Sequence, residues 1–188
     1  MAVAAKPYSV RRFTVGEYYQ LAAVGILGED DPVELIEGEI VMKSPISSRH
    51  AACVKRLNAL LTDNLQGRAI VSVQDPIRLS EHSEPEPDLA LLKPREDFYS
   101  SQHPTPEDVL LVVEVAETSL KYDKEVKLPL YARHGIPEVW LLDLEGGKIE
   151  VLSEPEGEHY KSVKTLMRGD RLVLSRFSGV ELAVEEIL

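Results

Sequence analysis

DVLLVVEVAE, residues 108–117, is the stretch on which the fold turns. It is apolar on both faces, the mark of an interior strand in a covered sheet. One residue breaks the pattern. Strict alternation puts Leu110, Val112 and Glu114 on one face and Leu111, Val113 and Val115 on the other. A buried carboxylate is costly, so Glu114 must be paired, neutralised or bound to metal, unless it escapes to solvent at the strand end.

Upstream, DLALL (88–92) reads as a second strand, delivered by SEPEP (83–87), which is stiff and extended because each proline restricts the residue before it. AIVSVQ (69–74) has the β-branched alternation of a strand, and PIRLS (76–80) follows it, with Pro76 marking a bend, bulge or edge. Residues 49–65 form a helix after Ser47–Ser48. Its stripe is Cys53, Val54, Leu57, Leu60, Leu61 and Leu65, and Gly67 ends it. VELIEGEIVMK (33–43) is a hairpin turning at Glu37–Gly38. Residues 14–24 are a short helix with Thr14 and Glu17 as a capping box.

Downstream, a helix over about residues 121–134 ends at Gly135, with a kink expected at Pro129. PEVWLLDL (137–144) and KIEVLS (148–153) flank Gly146–Gly147 as a hairpin, with Asp143 as a turn residue. HYKSVKTLM (159–167) and RLVLS (171–175) add strands, while 93–108 is a polar loop. The succession of helices and strands implies a mixed sheet with helices packed on it, α/β or α+β.

The 188 residues suit a single domain spanning 1–188, and 44% hydrophobic residues suffice for a core. No apolar run reaches the roughly 18 residues of a membrane span. MAVAAKPYSVRR lacks the apolar segment of a secretion signal, so a cytoplasmic location is expected. The single cysteine, Cys53, cannot form an internal disulfide and reads as a buried small hydrophobe. A net charge of −11 counts against nucleic acid, whose phosphates are bound mainly by Lys and Arg. Bound divalent ions would reverse that field locally.

Asp88 opens its strand and shares a face with Ala90 and Leu92. If the two strands are neighbours, Asp88 and Glu114 repel unless a cation stands between them, and all-oxygen ligands suit Mg²⁺ or Mn²⁺. Asp88 is equally readable as an ordinary polar residue after a proline turn. Lys127 lies on a stripe with Leu130, Tyr131 and His134, at i, i+3, i+4 and i+7. It either reaches the strand ends or covers apolar surface with its stem. Lys124, one turn earlier, is its rival.

Pro87–Asp88 followed by Glu114–Val115–Ala116 resembles the PD-(D/E)XK nuclease motif. The longer strings ELIEGEIV, SEPEPDLALL and VVEVAETSLKYDKEVKLPLYARHGIPEVWLLD are similar to the restriction-endonuclease family called Uma-two, over roughly residues 12–185. The resemblance implies a restriction-endonuclease-like core, a mixed central β-sheet flanked by helices, with a β-rich C-terminal extension. It implies a Mg²⁺-dependent endonuclease that hydrolyses DNA phosphodiester bonds and leaves a 5′-phosphate. Asp88, Glu114 and the Val115 carbonyl would hold the metal, and Glu34 would be an outer ligand. The motif's usual lysine position is Ala116, so that role passes to the match to DKEVKLPLYA, where Lys127 is the candidate and Lys124 the reserve.

Glu34 is otherwise a solvent-facing hairpin residue. His50 and Gln74 are either site residues or ordinary hydrogen-bonding side chains. Two other readings stay open: a decayed nuclease fold kept as a nucleic-acid or protein binding module, favoured by Ala116 and the net charge, and a hydrolase of a small phosphorylated substrate. Self-association into a homo-oligomer is compatible with the sequence.

Overall fold

A computed structural model describes residues 9–28 and 30–188. The first eight residues of the stretch read for secretion lie outside the described residues. The elements are α1 (Val15–Ala23), β1 (Val33–Ile36), β2 (Glu39–Met42), α2 (Ser48–Leu65), β3 (Ile70–Val73), β4 (Leu89–Leu92) and β5 (Val109–Ala116). A helical segment follows: α3 (Leu120–Tyr122), a π-helical turn (Asp123–Lys127) and α4 (Leu128–Arg133). Then come β6 (Glu138–Asp143), β7 (Lys148–Glu156), β8 (His159–Met167), β9 (Arg171–Val173), β10 (Glu181–Ala183) and α5 (Val184–Ile187).

Six strands form the central sheet in the order β3-β4-β5-β6-β7-β8. β5 and β6 run parallel and every other pair is antiparallel, so the sheet is mixed. The parallel pair requires a crossover, which α3, the π turn and α4 supply. The β-rich C-terminal part is real: β7 and β8 extend the sheet, while β9 pairs with β10 as a separate ribbon.

β5 divides the interior in two. Leu111, Val113 and Val115 join Cys53, Leu57 and Leu61 of α2, Trp140 and Leu142 of β6, and Ile187 of α5. Val112 and Ala116 join Leu130 and Tyr131 of α4, Ile36, Ala90 and Leu92. Leu110 departs from the alternation and packs with the first group. The cause is a register shift between Leu91 and Leu92, which pair with Leu111 and Val109, so Leu110 is the extra residue of a bulge.

The expected capping box is present: Thr14 Oγ1 accepts the Glu17 N–H at 3.2 Å, and Glu17 Oε2 accepts the Thr14 N–H at 3.1 Å. The hairpin of β1 and β2 turns at Glu37 (φ 48°) and Gly38 (φ 77°), the two positive values of a type I′ turn. A Cβ on Gly38 would lie 2.5 Å from Arg12 Cβ, so no larger residue fits without movement.

Three expectations need correction. The continuous helix over 121–134 is interrupted by the π turn. Pro129 has no N–H to offer the carbonyl four residues back and its ring crowds it, so the turn just before it departs from α geometry. PIRLS (76–80) is not a strand; Ser80 makes only an isolated bridge to Ser83. RLVLS shortens to Arg171–Val173. Among the described residues no helix is long and apolar enough to cross a membrane.

Candidate active site

Antiparallel pairing of Leu89 with Val113 carries Asp88 to the level of Glu114, at the end of the ladder between β4 and β5. The Asp88 carboxylate closes that ladder: its Oδ2 accepts the Val115 N–H at 2.8 Å. His50 Nε2, from the first turn of α2, lies 3.1 Å from the same oxygen, and Gln74 Nε2 donates to Oδ1 at 3.3 Å. His50 and Gln74 are therefore both on Asp88, one from the helix and one from the end of β3.

Glu114 is 3% exposed and does not reach solvent at the strand end. Its Oε1 accepts the Tyr131 hydroxyl at 2.6 Å and lies 3.2 Å from Lys127 Nζ. The same ammonium lies 3.2 Å from Glu34 Oε2. Glu34, only 2% exposed, points inward rather than to solvent. Its carboxylate also accepts the Glu86 N–H at 3.1 Å and the Tyr122 hydroxyl at 3.3 Å. Asp123, one helical turn before Lys127, is buried with Ser119 Oγ donating to its Oδ2 at 2.7 Å.

The two lysines separate cleanly. Lys127 is buried between two carboxylates, whereas Lys124 turns away and pairs with Glu150 at 2.8 Å, with 37% of its side chain exposed. Asp143 is the turn residue expected, with its Oδ1 accepting the Gly146 N–H at 2.7 Å. Cys53 is fully buried, and its Sγ donates to the Ile187 carbonyl at 3.5 Å.

Electrostatics follow from burial and pairing. Burial pushes the Glu114 carboxyl up from its ordinary range, against the pull of the Lys127 charge. Burial alone would lower the Lys127 ammonium, but the charges of Glu114, Glu34 and Asp123 outweigh it and hold the lysine protonated. The hydrogen bond to Asp88 raises the His50 imidazole against the opposing effect of burial. His50 Nδ1 is itself buried with no hydrogen-bond partner.

These groups line one cavity of about 710 Å³ at the end of β5. Eight of its lining residues are Asp or Glu and two are Lys, so an anionic substrate would meet net repulsion unless cations accompany it. Among the described residues no group of three or more His, Cys, Asp or Glu side chains is arranged to hold one ion. The donors that fit a hard divalent cation are the oxygens of Asp88 and Glu114 with the neighbouring Val115 carbonyl, two carboxylates rather than three. Sequence reasoning missed Tyr131 and Asp123 as members of the site. Tyr131 was signalled, since it sits four residues after Lys127 on the same stripe.

The architecture is thus a six-stranded mixed sheet flanked by helices, with carboxylates gathered at the end of an interior strand. The crystal structure of a protein described as "a putative nuclease belonging to DUF820", from Anabaena variabilis, superposes with a TM-score of 0.71 at 18% sequence identity. The match covers 93% of this chain and 97% of that one. A family model matches residues 15–185, that of Uma2, "Putative restriction endonuclease". The chain belongs to the Uma2 family. No curated protein matches the sequence.

Proposed function

We propose that this protein is a cytoplasmic, single-domain, metal-dependent endonuclease that hydrolyses phosphodiester bonds of DNA. The observation that carries the reading is the convergence of Asp88, Glu114 and Lys127 on one cavity from three separate elements. Family and fold support a nuclease.

Asp88, Glu114 and the Val115 carbonyl would hold Mg²⁺ or Mn²⁺, which lowers the pKa of a bound water and offsets charge on phosphate. Asp88 is kept in place by the Val115 N–H, His50 and Gln74. Tyr131 and Lys127 both engage Glu114 Oε1, which fixes the carboxylate and leaves Oε2 without a hydrogen bond. Lys127 places a fixed positive charge beside the reacting phosphate. Lys127 would supply from the crossover the lysine that position 116 lacks.

Crystals soaked in Mn²⁺ test the donor set: an anomalous peak is expected about 2.0–2.6 Å from oxygens of both Asp88 and Glu114. Plasmid nicking with Mg²⁺, lost on chelation, tests the reaction. A second reading, a binding module without catalysis, is favoured by one observation. Lys127 already pairs with both of the buried carboxylates, Glu34 and Glu114, so one of their two charges is offset without a metal. Absence of both the Mn²⁺ peak and nicking would establish that alternative.

A further inference from the structure

Among the described residues, Glu34 is the one carboxylate of the cavity with both a backbone N–H and an ammonium against a single oxygen. Oε1 takes the Tyr122 hydroxyl at 3.3 Å, while Oε2 takes the backbone N–H of Glu86 at 3.1 Å and Lys127 Nζ at 3.2 Å. The Glu86 donor is set by the hairpin itself, because the segment 83–87 is docked on β1 through the bridge between Leu35 and Glu84. A cation close enough to ligate Glu34 Oε2 would stand beside an ammonium that lies 3.2 Å from that same atom. Like charges so placed in a poorly solvated interior repel strongly.

The other carboxylates differ. Glu114 concentrates both of its donors on Oε1. Asp88 Oδ1 holds only the amide of Gln74, an exposed side chain, at 3.3 Å. Glu114 Oε2 is thus left without a donor, while Asp88 Oδ1 and Glu34 Oε1 each have a single neutral donor at 3.3 Å, on Asp88 from an exposed side chain.

We propose that Glu34 is a positioning residue for the Lys127 ammonium and not an outer ligand of the metal. This assignment rests on the nuclease reading above, and it explains the hairpin, which carries a fixed carboxylate to the back of the catalytic lysine. The sequence spacing follows from this. Glu34 is 93 positions before Lys127, and only docking of the hairpin on the approach to Asp88 brings them together.

The test compares Glu34→Gln with Asp88→Asn in the full chain. Titration with Mn²⁺ alone should give Glu34→Gln a Kd within about threefold of the unmodified protein, a difference well under 1.4 kcal/mol. Asp88→Asn should lose measurable binding. Amine acylation mapped by mass spectrometry should find Lys127 protected in the unmodified protein and labelled in Glu34→Gln. Nicking should show kcat down about a hundredfold with KM unchanged, the cost of a misplaced group. Tyr122→Phe removes one donor without touching charge, and serves if Glu34→Gln does not fold. It should keep the Mn²⁺ affinity while raising Lys127 labelling and lowering kcat to a smaller extent. Loss of Mn²⁺ affinity in folded Glu34→Gln would make Glu34 a ligand and overturn the assignment. Unchanged kcat with Lys127 still protected would overturn it too. If the unmodified protein cuts no substrate, the nuclease reading fails, while the Mn²⁺ titration and the Lys127 footprint still decide the role of Glu34.

Discussion

The two faces of β5 are built from the same eight residues and do opposite things. Toward α2, Leu111, Val113 and Val115 enter a layer that is apolar apart from its edge, where Trp140 Nε1 donates to the buried Glu138 at 2.7 Å. Toward α4, Val112 and Ala116 bracket Glu114, and Glu34, Lys127 and Asp123 are buried with it. The first face gains free energy from every group it removes from water. The second holds charges whose desolvation costs several kcal/mol each and is offset only by close pairing. The candidate site thus sits on the α4 side of the strand, and the larger apolar cluster on the other.

The sharpest way to break this division is Lys127→Met, which keeps the apolar stem and deletes the charge. Glu34 and Glu114 then lose their counter-charge, a change that typically costs about 3–5 kcal/mol. The melting temperature should fall and recover in part when Mn²⁺ is added. Nicking should fall about a hundredfold or more, whereas Lys124→Met should stay active because its ammonium serves only Glu150.

On the apolar face, Leu57→Ala should cost about 2–5 kcal/mol in urea denaturation. Its nicking rate per folded molecule should be unchanged; a disproportionate loss would show that the faces are coupled. Tyr131→Phe probes the boundary between them. It removes the hydroxyl on Glu114, and a bond to a charged group is worth about 1.5–3 kcal/mol, so a modest fall in stability with weaker Mn²⁺ binding is expected. The smallest effect concerns Cys53, whose thiol burial pushes up to about 11. Labelling of the native protein by a thiol reagent should be slow at neutral pH, rise only as pH approaches that value, and become fast in denaturant.

Much of this was legible in the chain. Glu114 stood out because a carboxylate interrupts an apolar run, and Lys127 because it lies on the stripe with Leu130 and Tyr131. What was not legible came from distance or from local backbone departures. His50 and Gln74 meet on Asp88 only after α2 and β3 have docked, and neither carries a local pattern that says so. Glu34 read either as an outer ligand, by resemblance, or as a hairpin residue facing water, since nothing within β1 and β2 shows what covers it. The bulge at Leu110 and the π turn at Asp123–Lys127 each shift a residue off the regular period, and periodicity is blind to both.

The bond from Cys53 Sγ to the Ile187 carbonyl spans 134 positions of sequence. α2 is therefore sealed by α5, a segment that follows the whole sheet in the chain. Closing so large a loop must precede the contacts that reward it, and folding slows as such separations grow. Every partner of the crossover that bears Lys127, from Glu34 to β7 and β8, is synthesised before α5. During synthesis the half that carries the candidate site can take shape while α2 still lacks its contact with α5. In that interval Cys53 lacks the Ile187 carbonyl that its thiol later bonds.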